Sequence, residues 1–124
     1  MDTSCLVALA FGEPGAVGVR SRLESYDRLY SANLLEAELR AAFARERVAW
    51  QQDLITAIGW VLPARRLTDE IAHVLEAGYL RGADLWHVSC ALHLHDALGV
   101  LDFLTLDTTR REVAAAAGLG APPL

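Results

Sequence analysis

The segment VLDFLTLDTTRREVAAAAGL, residues 100–119, contains a strand pattern followed directly by a helix pattern. Residues 101–106 have the apolar character of a short buried β-strand, and residues 112–119 have that of a helix. Asp107 lies between them, where the strand is expected to end. A carboxylate in this position is a good helix cap, because its oxygens accept hydrogen bonds from free backbone N–H groups.

A second cap candidate leaves the role of Asp107 open. Thr109 and Glu112 have the spacing of a capping box, in which each side chain accepts from a backbone donor at the start of the helix. Asp107 would then be spare. Open α/β sheets place ligand-binding groups at the carboxyl ends of their strands. A cap and a functional acid are therefore alternatives for this residue.

Length and composition limit the class of protein. The 124 residues predict one domain, residues 1–124, and the 53% hydrophobic content is enough for a core. Cys5 and Cys90 are expected to be buried free thiols rather than a disulfide or a zinc site. No membrane span or signal peptide is expected, so the predicted location is cytoplasmic.

The net charge of −5 disfavours a protein that holds nucleic acid by charge alone. It does not disfavour a nuclease whose acids surround divalent cations, because bound cations reverse the local charge.

Short apolar strands alternate with helices along the chain, which favours a parallel sheet with helices on its faces. An all-α bundle stays possible at this stage, since the helical content is high. Further strands are expected at residues 28–31, with Ser31 as a possible helix cap, and around Pro63. Thr68 is expected to cap a helix. Besides the last helix, predicted helices cover residues 4–11, 14–26, 34–47, 50–58, 68–80 and 84–98.

Two acids of the third predicted helix have different surroundings. Residues three and four positions away from Glu38 are all apolar, whereas those around Glu36 are mixed and include Arg40. Glu36 is therefore expected to face water or to pair with Arg40. Glu38 is expected to point inward, where an unpartnered carboxylate is costly. It must then be neutral, paired or bound to a metal ion.

Asp84 and Asp2 complete a set of four acids. Asp84 shares a helix face with His87 and apolar residues, although a helix cap is an alternative for it, and Asp2 or Ser4 can cap the first helix. At one edge of a doubly wound sheet, strand carboxyl ends meet helix amino ends. Four carboxylates gathered there would repel one another unless they bind Mg²⁺ or Mn²⁺, which prefer oxygen ligands and support phosphodiester chemistry.

Four segments, in this order, resemble the motifs of PIN-domain ribonucleases, specifically the VapC-type toxins of bacterial type II toxin–antitoxin systems. They are DTSCLVALAFGEPGA (2–16), LLEAELRAAF (34–43), GADLWHVSCAL (82–92) and DFLTLDTTRREVAAAAGL (102–119). The acids that match are Asp2, Glu38 rather than Glu36, Asp84 and Asp107.

The resemblance implies a three-layer α/β fold with a short parallel sheet flanked by helices. It also implies endonucleolytic cleavage of RNA with Mg²⁺ or Mn²⁺, homodimers, and neutralisation by a small cognate antitoxin. Under this interpretation Asp2, Glu38, Asp84 and Asp107 are the catalytic, metal-binding residues. The family normally has a hydrophobic strand before the first Asp, but only Met1 precedes Asp2 here, so the sheet is expected to lack most of its first strand.

Other residues have weaker assignments. Thr3, Ser4 or Thr105 could orient a carboxylate or a metal-bound water, or simply cap local backbone. Arg110 and Arg111 could contact RNA phosphate, or be solvated. Asp102 could be a fifth acid at the rim of the site or an exposed residue at the start of a strand.

Two functional alternatives to the nuclease remain open. The chain could be a PIN-like binding module with weak or no catalysis, which acts through antitoxin or dimer contacts, or an all-α interaction protein.

Overall fold

The computed structural model describes residues 1–124 and has six α-helices and a two-stranded parallel sheet. This confirms the α/β fold and removes the all-α alternative. In chain order the elements are α1 (Thr3–Phe11), α2 (Ala16–Leu23), β1 (Leu29–Ala32), α3 (Leu34–Glu46), a 3₁₀ turn (Gln52–Leu54), β2 (Ile58–Val61), α4 (Thr68–Ala77), α5 (Gly82–Leu98) and α6 (Thr108–Ala116).

The sheet lies between two layers of helices. Leu29 pairs with Ile58, and the parallel register continues to Ala32 and Val61. On one face Ile58 packs in a core cluster with residues of α1 and α3, and on the other Ala32 and Val61 pack with Cys90 of α5. A further cluster joins α4, α5 and α6 around Phe103. Parallel strands need a crossover connection, and here α3 provides it.

Met1 and Asp2 lie between β1 and the extended segment that precedes α6. The amino group of Met1 donates to the carbonyl of Tyr30 at 2.9 Å, and the backbone N–H of Asp2 donates to the carbonyl of Leu104 at 3.1 Å. These two bonds place Asp2 next to Leu104 and therefore close to the start of α6.

The prediction of a β-strand at residues 101–106 is wrong, because the structure has no strand there. The segment makes only an isolated parallel bridge, between Asp102 and Gly120. A strand requires a continuous ladder of hydrogen bonds, and here Asp2 supplies one bond on one side while the Gly120 carbonyl accepts from Phe103 on the other. The segment is nevertheless well packed, with Phe103, Leu104 and Thr105 buried.

The predicted helix at residues 50–58 is also wrong, because only the 3₁₀ turn forms before β2 begins at Ile58. Ile55 and Ile58 are both buried, and their spacing of three imitates a helical face. Ser31 is in β1 rather than at a cap, and Asn33 occupies the N-cap position of α3. Thr68 is the first residue of α4, after Leu67 at the N-cap. None of the helices combines the length and apolarity that crossing a membrane requires.

Candidate active site

The four predicted acids are carried by four different helices. Asp2 and Asp107 are the N-caps of α1 and α6, Asp84 is in the first turn of α5, and Glu38 is in α3. Helix N-termini favour negative charge, because their first N–H groups have no partner within the helix. Three helix starts therefore each place a carboxylate in this part of the molecule.

Arg110 connects two of these acids. Its Nη1 donates to Oδ2 of Asp2, and its Nη2 lies 2.6 Å from Oδ1 of Asp84. Asp2 is fully buried, while the side chain of Arg110 is 13% exposed and that of Asp84 is 24% exposed. A buried carboxylate requires a charged partner. The guanidinium is that partner for Asp2. It also binds Asp84, which lies 82 positions after Asp2 in the chain.

The charges around Arg110 include all four acids. Burial lowers the pKa of Arg110, but the carboxylates of Asp2, Asp84 and Asp107 outweigh this and raise it above its usual value. The positive charge of Arg110 is also one of the causes that lower the pKa of Glu38. Four separate segments therefore place negative charge around one guanidinium.

Glu38 has a second set of partners. Its Oε2 is 2.6 Å from Nε2 of His87 and accepts a hydrogen bond from the Thr3 hydroxyl. Burial raises the pKa of Glu38, but the hydrogen bonds from His87 and Thr3 outweigh it and lower the pKa below its usual value. The side chain of Glu38 is 32% exposed, so it is half-buried rather than fully inward, and of the alternatives left open for it the structure has the paired carboxylate.

Sequence reasoning did not assign a role to His87. Its side chain is 1% exposed, and its Nδ1 is buried without a hydrogen-bond partner. The available signal was its position three residues after Asp84, which places both side chains on one face of α5. That the second partner would be Glu38, 49 positions earlier, could not be read from any local pattern.

Ser4 and Thr105 hold the segment that leads to Asp107. The Ser4 hydroxyl donates to Oδ1 of Asp2 at 2.6 Å and accepts from the backbone N–H of Leu106 at 3.0 Å. The Thr105 hydroxyl accepts from the backbone N–H of Asp107 at 3.1 Å. Ser4 thus orients a carboxylate and, with Thr105, fixes the local backbone. Arg111 is half-buried, and its side chain is in none of the ion pairs.

Asp107 is the helix cap and is not spare. Its Oδ1 accepts from the backbone N–H of Arg110 at 2.7 Å, so α6 begins earlier than the predicted capping box of Thr109 and Glu112 requires. Asp102 accepts from the hydroxyl of Tyr26; burial, followed by this bond, raises the pKa of Tyr26 to about 12. Asp102 therefore has a structural partner of its own.

The sequence matches the model of the PIN domain family over residues 1–116. The chain belongs to the PIN domain family. PIN domains are generally nucleases, and they typically use divalent metals such as Mg²⁺. No curated protein and no solved structure matches the chain.

The acids of this PIN domain fit a divalent cation in their chemistry, because carboxylate oxygens are the ligands that Mg²⁺ and Mn²⁺ prefer. In the described conformation no three acidic, histidine or cysteine side chains are close enough to hold one ion. The Arg110 guanidinium instead lies between Asp2 and Asp84. The site thus already contains a cation, which is supplied by the chain itself.

Proposed function

We propose that this PIN domain is a metal-dependent endoribonuclease that cleaves RNA with a metal-activated water. The observation that carries the proposal is that Arg110 binds the carboxylates of Asp2 and Asp84 from two distant segments, while Asp107 caps the same helix turn. An excess of negative charge in a partly buried place is unfavourable for folding alone, and such arrangements are concentrated at functional sites.

Asp2, Glu38, Asp84 and Asp107 would hold Mg²⁺ or Mn²⁺, directly or through water. An ion held there would supply an activated water and stabilisation of the charge that develops on the phosphodiester. Ser4 fixes the orientation of the Asp2 carboxylate. Thr3 and His87 fix that of Glu38.

The RNA would meet the site near the start of α6. Arg110 and Arg111 lie in the first turn of that helix, and arginine side chains suit a phosphate. The chain carries a net charge of −5, so overall charge does not hold RNA. The proposal therefore expects the divalent ion to be needed for RNA binding as well as for cleavage.

A pair of glutamates in α3 tests the proposal with a matched control. Glu38→Gln removes a half-buried carboxylate that pairs with His87, whereas Glu36→Gln removes a half-buried carboxylate that pairs with Arg40 at 2.9 Å. We expect Glu38→Gln to lower the rate of cleavage of labelled RNA by about a hundredfold or more, and Glu36→Gln to leave it unchanged. EDTA should abolish cleavage, and added Mg²⁺ or Mn²⁺ should restore it.

Equal rates for the two variants would contradict the assignment of Glu38. Full activity in EDTA would contradict metal dependence. Circular dichroism of both variants verifies that each is folded.

We further propose that the protein is a VapC-type toxin that acts in the cytoplasm, where its RNA substrates are. We expect it to form homodimers and to be neutralised by a small cognate antitoxin. An apolar cleft of about 380 Å³ supports a role in partner binding. The cleft is lined by β1, by residues 100–104 and by α5, and Leu98 and Val100 are 58% and 96% exposed. Solvent-exposed apolar residues beside an apolar cleft are typical of a protein-binding surface.

The same cleft favours a second candidate function, a PIN-like binding module with weak or no catalysis. Calorimetry separates the two, because the binding module predicts tight antitoxin binding without uptake of Mn²⁺. Val100→Asp should weaken antitoxin binding, whereas Val17→Asp, at a residue 85% exposed on α2, should not. Equal affinities of the two variants would contradict the cleft as the antitoxin site, and light scattering tests the homodimer.

A further inference from the structure

The guanidinium of Arg110 is only partly used by its partners. Its two terminal nitrogens each bind one carboxylate, but its Nε is buried and has no hydrogen-bond partner. Arginine–carboxylate pairs are frequently bidentate, with two parallel N–H···O bonds to one carboxylate. Here the side chain spans Asp2 and Asp84 and leaves a buried donor unsatisfied, which is costly.

The charge balance at this position is also incomplete. At contact distance the single charge of Arg110 is shared by the carboxylates of Asp2 and Asp84, and Asp107 caps the helix that carries Arg110. A divalent ion would bring twice the charge to the same oxygens. The ion and the guanidinium compete for these oxygens, because two cations at short range repel each other.

The backbone of Arg110 can keep its place while the side chain moves. Its N–H is fixed by the Asp107 cap, in the first turn of α6. The side chain is 13% exposed, so it has a route to solvent. A released guanidinium would stay tethered beside the acids and the start of α6, where a phosphate of the substrate is expected.

We propose that Arg110 is an internal counter-cation that exchanges with the divalent ion at Asp2 and Asp84. In the metal-free protein it neutralises the buried Asp2 and holds the acids together. When the ion binds, the guanidinium leaves the two carboxylates and becomes available to a phosphate of the RNA. This inference rests on the proposed function, because it requires that the acids bind a divalent ion.

The wild-type protein can be tested by NMR with ¹⁵N-labelled arginine. We expect titration with Mg²⁺ to shift the side-chain resonances of Arg110 and to leave those of Arg65, which is bound to Glu70, unchanged. If calorimetry shows that Mg²⁺ binds while the Arg110 side-chain resonances stay in place, the exchange is wrong.

Variants test the competition by calorimetry with Mn²⁺. Arg110→Gln should bind Mn²⁺ about tenfold more tightly than the wild type, because the competing charge is gone. Arg45→Gln is the matched control, since it removes a surface arginine that pairs with Glu46, and its affinity should not change. Arg110→Lys keeps the charge, so that the effect of charge can be told apart from loss of folding if Arg110→Gln is unstable.

The outcomes separate the inference from the proposed function. Equal Mn²⁺ affinity of Arg110→Gln and the wild type overturns the exchange and leaves the nuclease proposal standing. Weaker binding by Arg110→Gln also overturns it, because Arg110 would then help to position the ligands. If neither protein binds Mn²⁺ or Mg²⁺, the proposed function itself fails and the exchange fails with it.

Discussion

Two arginines bind acids in this molecule, and they do so in different ways. Arg65 donates to both oxygens of Glu70, five positions later in the chain, with Nη1 to Oε2 at 3.1 Å. Arg110 divides its two terminal nitrogens between Asp2 and Asp84, which are far apart in sequence. The first arrangement is a fork on one carboxylate with balanced charge, and the second joins distant segments and leaves negative charge in excess.

The difference shows which cluster stabilises and which is available for chemistry. Hydrogen bonds from Arg65 lower the pKa of Glu70 to about 2 and hold it ionised, and Nδ1 of His93 lies 3.5 Å from the same carboxylate. At Arg110, by contrast, two carboxylates, those of Asp2 and Asp84, share one guanidinium. A site with unbalanced charge can gain from a further cation, whereas a balanced one cannot.

The largest expected effect on stability comes from breaking the buried half of the Arg110 site. Asp2→Ala should lower the free energy of unfolding by about 3–5 kcal/mol, because it removes one partner of a buried ion pair and leaves the other uncompensated. Urea unfolding measures the effect, with Glu13→Ala at an exposed position as the control. A loss for Asp2→Ala no larger than that of the control would contradict the account of Asp2 as a buried ion-pair partner.

Asp107 allows capping and chemistry to be separated. Asp107→Ala should cost about 1 kcal/mol of stability through loss of the cap, whereas Asp107→Ser keeps a capping oxygen and should cost only a few tenths. Both variants remove the carboxylate, so we expect both to lose RNA cleavage. Wild-type cleavage by the stable Asp107→Ser variant would show that Asp107 is a cap and nothing more.

The Arg65–Glu70 pair should make the stability of the folded protein depend on pH in the acid range. Because the pKa of Glu70 is lowered from 4.5 to about 2 in the folded protein, its stabilising contribution is present above about pH 4.5 and is lost as the pH falls towards 2. In Arg65→Gln we expect a lower urea midpoint at pH 6 and a smaller decline between pH 5 and pH 2. Parallel curves for the two proteins would contradict this role of the pair.

The sequence predicted well those features that depend on neighbours within one helix. The pairing of Glu36 with Arg40 is confirmed, and α1, α3 and α5 begin and end within two residues of their predicted bounds. Each of these features follows from residues three or four positions apart, which a helical period brings together.

Features that depend on distant partners were not predictable. The segment at residues 101–106 has the composition of a strand but lacks a ladder, since its hydrogen bonds come from Asp2 and Gly120. The contact of Arg110 with Asp2 spans 108 positions. The sequence indicated that both residues belong to the site, but it could not show that one would neutralise the other.

Anomalous diffraction from crystals soaked in Mn²⁺ locates the ion and the Arg110 side chain in one experiment. We predict a manganese peak among the carboxylates of Asp2, Asp84 and Asp107, with the Arg110 guanidinium moved away from Asp2 and Asp84. Absence of a peak at saturating Mn²⁺, with Arg110 still bridging the two acids, would contradict the claim that these residues form a metal-dependent nuclease site.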